Sequence, residues 1–182
     1  NATDSETFRK WQKPSFLSLN FQISLPLASY PIGPSSRFKV SSGCMSVLEG
    51  AHFFSPYIGL GGRFSVTRTS VIVDNIRAEN NVFDTWRIGG GAYFSCPLST
   101  RWLAGSKLLV ERVHYPDLQQ TSYLVDSRHS FSLGTGLSLT FRAHQHYGIR
   151  LLLDYDLLPY RTAGRQICVH SLTLGTAFLV AF

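Results

Sequence analysis

Residues 16–25, FLSLNFQISL, alternate without a fault: Leu17, Leu19, Phe21, Ile23 and Leu25 fall on one side, Ser18, Asn20, Gln22 and Ser24 on the other. A period of two belongs to an extended strand with one apolar face. Seven further segments repeat it, at 37–48, 57–66, 85–96, 101–112, 131–141, 148–157 and 170–182. Within 37–48 the alternation changes phase near Cys44 and Met45, which predicts a bulge. Eight strands of about ten residues follow, and helix formers are sparse.

The connections alternate in length. Short links are expected at 49–56, 97–100 and 143–147, and longer ones in ASYPIGPSS, TRTSVIVDNIRAENN, HYPDLQQTSYLVDS and PYRTAGRQ. Short turns at one rim and long loops at the other characterise an up-and-down barrel that crosses a membrane. Volume decides which face points inward. The Leu, Ile and Phe side chains of eight strands would overfill an interior of that size without a large ligand cavity. The opposite faces hold Gly59, Gly61, Gly89, Gly91, Gly105, Gly134, Gly136 and Gly175, interspersed with Arg63, Arg87, Lys107, Glu111, Arg150, Asp154 and Asp156. Small residues and opposed charges suit a narrow polar lumen, so the apolar faces belong outside.

The expected fold is therefore all-β, an eight-stranded antiparallel up-and-down transmembrane β-barrel spanning 16–182, with Leu17, Leu19, Phe21, Ile23 and Leu25 facing lipid. Ten residues at about 3.3 Å each, tilted by about 40°, cover roughly 25 Å, the height of an outer-membrane apolar band. A soluble lipocalin-like carrier, with the same strands turned inside out, is the competing arrangement.

Composition narrows the rest. No run approaches the roughly 20 apolar residues of a membrane helix, the C-terminal TAFLVAF being too short. NATDSETFRKWQKP is polar, so the chain is either cytosolic or already without its leader. The net charge of +6 comes from basic residues scattered singly, which argues against a nucleic-acid groove. Cys44, Cys96 and Cys168 have no metal-ligand spacing and read as small apolar residues.

Turn positions give a register. If the turn PLST centres near Leu98 and Ser99, Arg87 faces Glu111, Gly91 faces Lys107 and Tyr93 faces Gly105. A turn around Gln145 sets Gly134 and Gly136 against Asp156 and Asp154. These pairings predict a lumen network of Arg63, Arg87, Lys107, Glu111, Arg150, Asp154 and Asp156, with Asn20 and Gln22 touching it. We read it as mutual charge satisfaction rather than a proton path or an active site.

Other constellations are thinner. His144 and His146 form an i, i+2 pair without a third ligand. His129, Ser130 and Ser132 hold part of a Ser/His hydrolase set, with no acid placed. Trp86, Trp102 and Tyr147 are expected in the interfacial girdles and Tyr93 in the lumen. No catalytic, metal or cofactor site is expected, and the Asn1-Ala2-Thr3 sequon carries no weight.

The terminal Phe182, with Val180 and Phe178 before it, resembles the C-terminal signal read by the barrel assembly machinery. The hairpin GGGAYFSCPLSTRWLAGSKLLVE resembles those of small outer-membrane barrels of the Bacteroidota, including the PorT-like group. The resemblance implies a secreted precursor of the bacterial outer membrane, with residues 1–15 and the C-terminus in the periplasm and long loops outside. It implies contact with outer-membrane lipid and lipopolysaccharide, with the assembly machinery during insertion, and with other outer-membrane proteins. Unlike in the outer-membrane protein A type, no peptidoglycan-binding domain is expected after the last strand. The expected function is that of a non-enzymatic accessory subunit in a surface complex for secretion, assembly or nutrient uptake. A lipid A-modifying enzyme and the soluble carrier are the alternatives.

Overall fold

The computed structural model describes residues 15–31, 37–73, 76–115, 129–162 and 165–182. Its strands are β1 (Ser15–Pro26), β2 (Ser29–Pro31), β3 (Arg37–Val40), β4 (Gly43–Phe53), β5 (Ile58–Val73), β6 (Ile76–Pro97), β7 (Trp102–His114), β8 (His129–Arg142), β9 (Tyr147–Thr162) and β10 (Arg165–Ala181). Strand β1 lies antiparallel between β4 and β10, and β4 through β9 each pair with the next strand. Eight strands thus close on themselves. Closure leaves no barrel strand with a bare edge, the condition for placing a sheet in hydrocarbon. The short strands β2 and β3 form a hairpin beyond the barrel wall, with β3 on the end of β5.

The faces divide as the volume argument requires. On β1, Ser18, Asn20, Gln22 and Ser24 are buried, whereas Leu17, Leu19, Phe21 and Ile23 are exposed and Leu25 is half-buried. The same alternation carries Leu60, Phe64, Ile88, Leu108, Val110, Leu133, Leu137 and Ile149 to the outer surface. This is the reverse of a lipocalin, whose apolar faces point inward.

Four local expectations need correction. No bulge interrupts the barrel strand near Cys44. Instead Ser41 and Ser42 separate β3 from β4, and β4 then runs in unbroken register against β1. Ser41 anchors the break: its N–H donates to the Ser70 carbonyl at 2.7 Å, and its Oγ accepts from Ser70 N–H at 2.8 Å. Second, β4 continues to Phe53, so the first short turn is 54–57 and Glu49 sits on a strand.

Third, the segments read as long loops around 67–81 and 159–166 are largely continuations of β5, β6, β9 and β10 beyond the barrel. A register shift between Ser70 and Ile72 lets β5 and β6 carry on past the wall. Fourth, the β6–β7 register is offset by two from expectation: Gly89 faces Glu111, Gly91 faces Leu109 and Tyr93 faces Lys107. The Ser99 hydroxyl accepts from the N–H groups of Arg101 and Trp102, at 3.3 and 3.2 Å. That moves the turn's centre toward Thr100. An offset of two preserves every face, so the lumen set is unaltered. The β8–β9 pairs Gly134 with Asp156 and Gly136 with Asp154 stand as expected.

Candidate functional site in the lumen

The middle of the barrel is filled by charge. Arg63 on β5 is the hub: its Nε donates to Glu111 Oε1 at 2.9 Å, its Nη2 to Glu111 Oε2 at 3.0 Å and to Asp156 Oδ1 at 3.1 Å, and its Nη1 to Asp154 Oδ2 at 3.2 Å. A planar guanidinium can bridge three carboxylates in this way, and an ammonium cannot. Arg87 Nη1 lies 2.9 Å from Asp156 Oδ2 and 3.5 Å from Glu111 Oε2. Its Nη2 sits 2.7 Å from Met45 Sδ. Lys107 Nζ reaches Glu49 Oε2 at 2.5 Å and Asp154 Oδ2 at 3.0 Å.

Arg150 closes the set. Its Nη1 donates to Glu49 Oε1 at 3.2 Å, its Nε to Thr140 Oγ1 at 3.1 Å, and its guanidinium lies 4.3 Å from the centre of the Phe16 ring. All seven residues expected in the network are buried and lie together. The structure adds an eighth, Glu49, which pairs two of the four cations. Sequence reasoning lost it by ending its strand at Leu48, five residues short of Phe53, although Glu49 continues the inward parity of Met45 and Val47. Gln22 joins through a 3.0 Å donation from Nε2 to Asp154 Oδ2.

Four cations and four carboxylates make the cluster neutral. Desolvating eight charges is costly, and mutual pairing offsets that cost only when the geometry is good. Chemically, the arrangement bars the lumen. It has no group held apart as a nucleophile or general base, and the glycines facing it serve space rather than chemistry.

The remaining expected sites are placed as follows. Phe178 and Phe182 lie on the outer surface with Val180 half-buried between them, and Phe178 stacks on Tyr147 at 5.9 Å. Trp86 and Trp102 are on the outer surface and Tyr93 is in the lumen. Trp86, His114 and His129 form a continuous row of tilted rings across three strands, with centres 4.7 and 4.8 Å apart. His129 faces outward, whereas the next residue, Ser130, turns toward the lumen and Ser132 is fully buried there. Successive residues of a strand point to opposite faces, so the hydrolase-like pair is not assembled. Among the described residues no group of three His, Cys, Asp or Glu side chains could hold a metal ion, and the turn pair His144 and His146 stands 6.1 Å apart by ring centres. The three cysteines are exposed, and the described ones form no disulfide.

No protein-family model and no curated protein sequence matches the chain. Solved structures do. Neisserial surface protein A superposes with a TM-score of 0.65 at 14% identity, over 93% of this chain and 97% of that one. The outer membrane protein OprG from Pseudomonas aeruginosa gives 0.66 at 10% identity, over 92% and 93%. The fold is that of the eight-stranded outer-membrane β-barrels. The outer membrane protein AlkL, determined in lipid bilayers, shares this outer-membrane barrel fold with a TM-score of 0.58 at 14% identity, over 93% and 90%. At such identities the likeness is one of architecture alone.

Proposed function

We propose that the protein is a non-enzymatic barrel of a bacterial outer membrane, acting as an accessory subunit of a larger surface complex for secretion, assembly or nutrient uptake. The observation that carries this reading is the buried cluster of Arg63, Arg87, Lys107, Arg150 and their four carboxylates. A lumen barred by paired charge offers no general route for solutes, which leaves the outer wall and the rims to do the work. The termini belong in the periplasm and the extended β5–β6 and β9–β10 hairpins at the cell surface. The outer wall meets lipid and lipopolysaccharide, the assembly machinery inserts the chain through its Phe178, Val180 and Phe182 end, and other outer-membrane proteins are its partners. The hairpin resemblance supports a Bacteroidota origin.

The test is chemical crosslinking in native membranes, mild-detergent extraction and purification through two independent steps. A partner recovered in fixed stoichiometry supports the subunit role. Recovery as a lone monomer both with and without crosslinking contradicts it. The lipid A-modifying alternative makes a separate demand: alanine at His129 or Ser130 must change lipid A composition, and we expect it unchanged.

A further inference from the structure

Beneath the ion cluster, on the side of the short turns, the lumen opens into a cavity of about 270 Å³. That is close to the lower end of small-molecule pockets, about 300 Å³. Its walls are unlike. One side is apolar, formed by Phe16, Phe53 and Leu179, and the other is small and polar, formed by Gly105, Gly136 and Ser138. Its roof is the underside of the cluster, Glu49, Lys107 and Arg150, and Arg142 lies at the rim.

Two observations indicate what such a space would take. The charged residues lining it are three cations, Lys107, Arg142 and Arg150, and one carboxylate, Glu49; the other three acids of the cluster do not line it. Tyr93 also lines it, is 3% exposed, and its hydroxyl has no hydrogen-bond partner among the described residues. A buried hydroxyl gains from an acceptor. The edge-on contact of the Tyr93 and Phe16 rings, at 6.0 Å and 72°, sets an aromatic surface next to that donor.

We propose that this blind cavity is a binding site for a compact aromatic carboxylate entering from the short-turn rim. The ring lies against Phe16, Phe53 and Leu179, across the cavity from the small wall of Gly105, Gly136 and Ser138. The carboxylate faces upward, accepting from Tyr93 Oη and lying in the field of Lys107 and Arg150. The ion cluster is then the floor on which the ligand stops, so the site binds without conducting.

The test uses the full chain in lipid nanodiscs and 4-fluorobenzoate as the probe, observed by fluorine NMR. The expected result is saturable binding, about tenfold weaker in Tyr93→Phe and lost in Ser138→Phe, which fills the small wall. The same ring without its carboxylate, 4-fluorotoluene, should bind at least about tenfold more weakly. To remain decisive if Ser138→Phe does not fold, a spin label is placed at Ser99→Cys or Ser29→Cys after Cys44, Cys96 and Cys168 are changed to serine. The Ser99 label, at the short-turn rim, should broaden the bound probe and the Ser29 label should not. Partitioning equal to that of empty nanodiscs, equal affinity for 4-fluorotoluene, undiminished binding in folded Ser138→Phe, or broadening from Ser29 alone would each overturn the assignment.

Discussion

Gly136 lies directly opposite Asp154 across the β8–β9 ladder, and a Cβ there would collide with the Asp154 carboxylate and come within 2.7 Å of Lys107 Cε. The missing side chain is what lets Lys107 reach across β8 to Asp154. Gly136→Ala should therefore destabilise the barrel by about 1–3 kcal/mol, the usual cost of overpacking. Gly62 faces outward, where the nearest atom to an added Cβ is the Gly89 carbonyl oxygen at 3.3 Å, and Gly62→Ala should cost less than about 1 kcal/mol. Urea unfolding in lipid vesicles measures both, and equal costs would refute the steric argument.

Arg63 touches three carboxylates, so its removal leaves buried negative charge without its main partner. Arg63→Met should cost about 3–5 kcal/mol in the same assay. Arg63→Lys keeps the charge but not the fork, and should fall between Met and the native residue. Because the pairs are buried, raising the salt concentration should barely change the difference. A cost for Arg63→Met below about 1 kcal/mol would remove the cluster from the list of what holds the barrel.

Leu137, near the middle of β8, is 61% exposed on the outer wall. Leu137→Arg should destabilise by about 2–4 kcal/mol if that wall meets the hydrocarbon midplane. Leu98 is equally exposed but lies in a turn outside the ladder, and Leu98→Arg should change little. Similar effects at both positions would mean that depth in a bilayer does not govern the cost.

A barred lumen should be electrically silent. In planar bilayers the native protein is expected to show no steady conductance, whereas Arg63→Ala combined with Glu111→Ala should admit small ions if the barrel survives. Steady conductance from the native protein would show that the cluster does not block the path.

These relationships were legible in the sequence to different depths. Face and order could be read directly, because alternation fixes which side of a strand each residue occupies, as Leu17 through Ser24 show. Exact pairing was harder. The Ser99 hydroxyl recentres one turn, a side-chain effect that turn length alone does not reveal, whereas the turn around Gln145 follows simple symmetry. Strand ends were least legible. Glu49 falls at the start of the expected short link 49–56, although it keeps the inward parity of Met45 and Val47, and on β4 it pairs with Lys107 and Arg150. The residues 1–15 and most of 114–127, expected as a terminal segment and a long loop, lie largely outside the described residues.

The central claim is that the apolar face of each strand meets lipid and the polar face meets a closed lumen. Its most direct test is a nitroxide scan of residues 17–24 in bilayers, reading collision with lipid-soluble oxygen against a water-soluble nickel chelate. The account predicts a period of two, with Leu17, Leu19, Phe21 and Ile23 open to oxygen and Ser18, Asn20, Gln22 and Ser24 shielded from both reagents. Oxygen accessibility on the even positions, or nickel accessibility on the odd ones, would contradict it.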